Sequence, residues 1–167
     1  LVLQYANKGL AQNMVSQGGG WYDMWNYVND ATGYRVINTG LIPITDRFSF
    51  NHVLTYGAAE DTTAFTDKSR LVSLVGRAQY QFTEYVRLIG EVGGFYQKDN
   101  YKNGTHYKQS GEKYTIALGL ADGADFMSRP ELRLFASYLN DSEDGKAFED
   151  GTKNNTWNFG VQVEAWW

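Results

Sequence analysis

Cysteine is absent from the 167 residues, so neither a disulfide framework nor a thiolate metal site can hold this chain together. Proline occurs only twice, which leaves long stretches without a strand breaker. Histidine also occurs twice, and His52 and His106 lack neighbours at metal-ligand spacing. No run approaches the roughly 20 apolar residues that a membrane helix needs. A basic balance is missing as well. The net charge of −4 argues against a nucleic-acid surface. Gly18-Gly19-Gly20 lacks the Lys-Ser/Thr that completes a phosphate loop, and Asp122-Gly123-Ala124-Asp125 lacks the longer spacing of a calcium loop. No enzyme chemistry, metal or cofactor is expected.

Aromatic residues are plentiful at 16%, with 12 Tyr, 9 Phe and 5 Trp, and glycine reaches 18 residues. The mean hydropathy of −0.47 would suit a soluble protein. It also suits a membrane barrel, in which only alternate residues of a strand meet lipid. Period-2 alternation gives eight strand candidates, at about 1–7, 33–42, 47–57, 69–81, 84–97, 112–122, 129–140 and 154–167. No helical period competes.

The faces separate best in the later strands. Trp157, Phe159, Val161, Val163, Ala165 and Trp167 form one face of the last strand, with Asn158, Gly160, Gln162, Glu164 and Trp166 on the other. Leu132, Leu134, Ala136 and Tyr138 alternate with Glu131, Arg133, Phe135 and Ser137. Tyr114, Ile116, Leu118 and Leu120 alternate with Lys113, Thr115, Ala117 and Gly119. Val86, Leu88, Gly90 and Val92 oppose Arg87, Ile89, Glu91 and Phe95. Strands 33–42 and 47–57 leave their faces unassigned.

The connections 8–32, 58–68, 98–111 and 141–153 are expected to be long and polar, and 43–46, 82–83 and 123–128 short. Alternating long and short connections is the pattern of outer-membrane barrels. Lipid excludes an open sheet edge, so the strands must close on themselves or on further strands. The whole chain, 1–167, is expected to lie within one barrel domain. The fold class is therefore all-β, an antiparallel transmembrane barrel.

The segment Ser128-Arg-Pro-Glu-Leu-Arg-Leu-Phe-Ala-Ser-Tyr138 resembles the second-last strand of the maltoporin family of sugar-specific porins. The ending Trp157-Asn-Phe-Gly-Val-Gln-Val-Glu-Ala-Trp-Trp167 resembles that family's C-terminus. The start, Leu1-Val-Leu-Gln-Tyr-Ala followed by Ser16-Gln-Gly-Gly-Gly, is similar to a mid-chain strand and loop. Within the family the likeness points toward an aryl-β-glucoside branch. It implies about eight C-terminal strands of an 18-stranded homotrimeric porin. The function implied is passive, sugar-selective diffusion across the bacterial outer membrane, with β-glucosides or oligosaccharides as solutes and the C-terminus in the periplasm. Implied partners are outer-membrane lipid, lipopolysaccharide and, through Trp167, the barrel-assembly machinery.

Sugar passage needs aromatic faces for the C–H side of a pyranose and polar groups for its hydroxyls. Trp166 falls on the polar face of the last strand. The family's penultimate aromatic belongs to a row of channel-lining aromatics, so the resemblance implies that role for it. The family's second such aromatic precedes the Ser-Arg-Pro motif. Here Met127 occupies that place, with Phe126 one residue earlier. Charged side chains on the expected lumen faces are Arg77, Arg87, Glu91, Lys113, Glu131 and Arg133, joined by Phe135. An Arg or Lys on the lipid face near the midplane would cost about 2–4 kcal/mol, so the lumen is the favoured place. Bracing of the wall and contact with sugar are both open to these charges. Trp21, Tyr22, Trp25 and Tyr27 could offer a first sugar contact in the long loop. Three other classes stay open: a general diffusion porin, a self-contained eight-stranded barrel with a structural or adhesin role, and a soluble lipocalin-like binder. The last should hide its apolar face inside.

Overall fold

The computed structural model describes residues 1–16, 29–142, 148 and 151–165. Eight strands form one antiparallel sheet, hydrogen-bonded in sequence order. They are β1 (Val2–Asn7), β2 (Thr32–Thr45), β3 (Phe48–Glu60), β4 (Thr66–Gln81), β5 (Val86–Tyr101), β6 (His106–Ala121), β7 (Glu131–Asp141) and β8 (Asn155–Glu164). A 3-10 segment, Lys8–Val15, follows β1. Contacts cluster into two compact units, one of residues 1–39, 53–74 and 95–110, the other of 40–52, 75–94 and 111–167.

In the second unit the alternation stands inverted relative to a soluble sheet. Leu134, Val161 and Val163 are exposed at 51%, 64% and 69%, whereas Glu131 and Ser137 of the opposite parity are at 1%. Register aligns the faces across strands: Leu118 stands opposite Leu134, and Leu134 opposite Val161. A contiguous apolar face open to water would be costly, so its medium is hydrocarbon. The same row ends in aromatics. Tyr114, Tyr138 and Trp157 are in register, with ring centroids 6.5 and 5.3 Å apart. Amphipathic rings of this kind suit a lipid–water boundary. The lipocalin-like reading, with apolar residues inside, is excluded by this arrangement.

In the first unit Leu3, Tyr5, Tyr34, Val72 and Leu74 are exposed on one face. The opposite face carries the 3-10 segment. A side chain at Gly33 would meet the Ala11 carbonyl oxygen at 2.6 Å, so glycine permits the close approach. Arg35 fixes this packing from the sheet. Its Nε donates to Gln4 Oε1 at 2.7 Å, and its Nη1 donates to the carbonyls of Asn13 and Ser16 at 3.2 and 3.3 Å. Val15, Ala59 and Leu71 form a small core, with Phe95 packed against it.

The faces of the two ambiguous strands now follow. In the first unit Tyr34 meets Tyr56 at 6.1 Å. In the second, Phe50 stacks near His52 at 6.5 Å and lies over Gly76, where a Cβ would stand 3.2 Å from its ring.

Two expected long connections are mostly strand. Residues 58–68 contract to 61–65, and 98–111 to 102–105. The short connections move the other way: 82–83 becomes 82–85 and 123–128 becomes 122–130, while 43–46 shrinks to 46–47. Connection length therefore does not alternate between β3 and β6. The cause lies in strand length. Sixteen residues span roughly 50 Å at about 3.3 Å each, well beyond an apolar band of about 25 Å even when tilted. Past the band both faces are wet, and a polar run such as Gln97-Lys98-Asp99-Asn100 is still strand.

Replacing Leu134 with Arg should lower the unfolding free energy of the full-length protein by about 2–4 kcal/mol, whereas Gln162→Arg, at an exposed position on the other face, should escape that lipid penalty. Reversible denaturant titration in lipid vesicles measures both, and equal penalties would contradict the face assignment.

Candidate functional site

Glu131 and Arg133 stand two apart on β7, so the pleat turns both to one side, and Arg129 joins them from the turn that precedes the strand. The pairing of β7 with β8 then sets Glu164 directly opposite Glu131. Two carboxylates so placed repel each other. Arginines resolve the repulsion. Arg133 clamps Glu131 with Nε–Oε1 at 2.9 Å and Nη2–Oε2 at 2.7 Å, and its Nη2 also donates to Glu164 Oε2 at 3.0 Å. Arg129 reaches Glu131 Oε2 at 3.0 Å and Glu164 Oε2 at 2.5 Å. The side chains of Arg129, Glu131 and Arg133 are 5%, 1% and 8% exposed, and only Glu164, at 36%, is open to solvent.

Arg87 completes the group. Its Nη2 donates to the Gly123 carbonyl at 2.7 Å, and its Nη1 to Gln79 Oε1 and the Phe126 carbonyl at 3.3 and 3.4 Å. Its buried Nε has no hydrogen-bond partner among the described residues. Arg129 Nη1 donates to the Ser128 and Phe126 carbonyls at 2.7 and 3.4 Å. The turn 122–130 is thus pinned by two guanidinium groups. Gly119 makes the room, since a Cβ there would stand 2.8 Å from both Arg87 Cγ and Glu131 Oε1.

A second charged row is more open. Arg77 donates from Nε and Nη2 to Glu91 Oε2 at 2.9 and 2.7 Å, and Lys113 Nζ lies 3.7 Å from Glu91 Oε1. Exposures of 28%, 17% and 50% for Arg77, Glu91 and Lys113 leave donors available to solvent. Phe135 is half-buried, its ring over Gly160 on the neighbouring strand, where a Cβ would approach within 2.8 Å.

The expected site residues therefore divide. Glu131, Arg133 and Arg87 come together in a buried, closed lattice. Glu91 joins Arg77 and Lys113 in the open row. Phe126 is half-buried and tied through its carbonyl, whereas Met127 is exposed at 58%. Trp166, Trp167 and the aromatic loop residues 21–27 lie outside the described residues. Sequence reasoning missed Arg129, which lies in the turn before β7, where strand spacing does not set its side. It also missed a cleft of about 460 Å³ in the first unit, bounded by Thr62, Ser69, Phe95, Gln97, Asp99 and Gln109. Among the described residues no group of three or more His, Asp or Glu is placed to hold a metal ion.

A sheet with lipid on one face and buried charge on the other defines a membrane β-barrel wall. The family model described as LamB porin matches residues 1–167, and the chain belongs to that family of channels. It is 86% identical, over 99% of its length, to Maltoporin 1 of Klebsiella pneumoniae subsp. pneumoniae, covering 39% of that protein. It is 81% identical over its whole length to Maltoporin 2 of Yersinia pestis (strain Pestoides F), covering 40%. Maltoporin 1 of Aeromonas salmonicida (strain A449) is 52% identical over the whole chain, with 39% of that protein covered. The chain thus spans about 40% of the length of these relatives. None of the three bears the name of an aryl-β-glucoside porin.

Glu131→Gln should destabilise the full-length protein by about 3–5 kcal/mol, because it strands buried guanidinium groups without their counter-charge. The unfolding free energy in detergent or lipid measures it. A loss below 1 kcal/mol would mean the lattice does not brace the wall.

Proposed function

We propose that the protein carrying this chain is a passive, sugar-selective channel of the bacterial outer membrane. The observation that carries this reading is the two-sided sheet, which turns apolar rows to lipid and sets charged and aromatic side chains on the other face. Family membership and the maltoporin names of the relatives support sugar as the solute. Those names favour oligosaccharides of the maltose kind over the β-glucosides suggested by the sequence resemblance.

In this reading Trp166, of the same parity as Glu164 and Gln162, offers its ring to the apolar side of a pyranose, with Phe126 or Met127 as a second contact. Phe135 adds a further flat surface. Arg77, Glu91 and Lys113 exchange hydrogen bonds with the hydroxyls. Binding of this kind is weak and repeated, as passage requires. A homotrimer with a periplasmic C-terminus, lipopolysaccharide around its outer rim and Trp167 as the assembly signal fits the same reading. All 167 residues then lie within one barrel.

Planar-bilayer recordings of the full-length protein test it. Maltohexaose should block the ion current saturably, and more strongly than an aryl-β-glucoside. Trp166→Ala should raise the half-blocking concentration roughly three- to tenfold, the order expected for one lost aromatic contact. Ohmic current indifferent to every sugar would leave a general diffusion porin instead.

A further inference from the structure

Resting on the sugar-channel reading, we infer that the cleft of the first unit is a second carbohydrate subsite, shaped for a neutral pyranose. Its volume of about 460 Å³ lies within the range of small-ligand sites. Its lining narrows the ligand class. Among the described residues Asp99 is the only charged side chain lining the cleft, so a phosphate or other anion is disfavoured. One carboxylate is also too few for a hard cation. The other lining groups are amides, hydroxyls, the aliphatic Val15 and one aromatic ring.

The arrangement suits a sugar. Phe95, Gln97 and Asp99 are spaced two apart on β5 and share a face. The Phe95 ring is held from behind by the Val15, Ala59 and Leu71 core and lines the cleft with its remaining surface. Gln97 Nε2 donates to both Asp99 oxygens, at 3.4 and 3.1 Å, which orients the carboxylate to accept from neighbouring hydroxyls. Gln109 adds a further amide. Thr62 and Ser69 border the same cleft, and their hydroxyls add groups that can donate to or accept from a sugar.

The test uses the full-length protein in planar bilayers with maltohexaose. Asp99→Asn should raise the half-blocking concentration roughly tenfold, the loss expected from one charge-assisted hydrogen bond. Lys68→Gln, on the opposite face of β4, should leave block unchanged. A Ser69→Cys variant probes the cleft directly, since saturating maltohexaose should slow its labelling by a thiol reagent at least several-fold. If the parent channel is blocked but Asp99→Asn matches it and labelling is unprotected, this subsite is overturned while the channel reading stands. An equal loss in Lys68→Gln would also overturn it, as an effect of charge alone. A parent channel blocked by no sugar overturns both readings.

Discussion

Hydrocarbon offers no hydrogen bonds, so each backbone group that enters it must bring its own partner. No helix among the described residues is long and apolar enough to cross a membrane. The antiparallel ladder meets the constraint instead, and it leaves side chains free to differ between faces. Leu118, Leu134 and Val161 can then form an apolar row while Arg133, one residue from Leu134, and Ser137 lie on the other side. Alternation ceases to be a propensity and becomes a partition between two solvents.

That partition gives the charged lattice a second role. A one-residue slip of β7 would send Glu131 and Arg133 to lipid and draw Leu132 and Leu134 inward. Each misplaced Arg near the midplane costs about 2–4 kcal/mol. The clamp between Arg129, Glu131, Arg133 and Glu164 forms only in the observed register of β7 against β8. Buried ion pairs contribute little net stability over apolar packing, but they discriminate strongly against alternatives that break them. Gly119 belongs to the same device, because its missing side chain is the space through which Arg87 and Glu131 pass.

The last strand was legible because its neighbours do not change its pattern. Trp157, Phe159, Val161 and Val163 alternate in the sequence and are exposed in the structure. The parity of Glu131 against Leu132 was legible for the same reason. Strand ends were not. Polar residues at 97–100 signal a loop in a soluble protein, yet strands here continue past the membrane with water on both sides. The partnership of Arg129 with Glu164 depends on a register 35 residues apart, which no local pattern encodes. The Phe126 carbonyl was invisible for a different reason: its role is backbone, and side-chain chemistry says nothing about it. Asp99 and Gln109, which border the cleft, were hidden inside 98–111, a stretch whose polarity signals a loop.

Two groups of like composition, both in the second unit, divide structure from transport. In the lattice, both oxygens of Glu131 are taken by arginines, and its exposure is 1%. A passing hydroxyl would have to displace a charge-assisted bond to be recognised there, which is slow and costly. Around Glu91 the geometry is looser. Arg77 spends Nε and Nη2 on a single carboxylate oxygen, and among the described residues the other oxygen has only Lys113 at 3.7 Å. Groups with donors and lone pairs to spare can trade partners with a solute at little net cost. In the proposed channel, the open row and the cleft are therefore suited to transient binding, and the closed lattice to keeping the strands that present them in register.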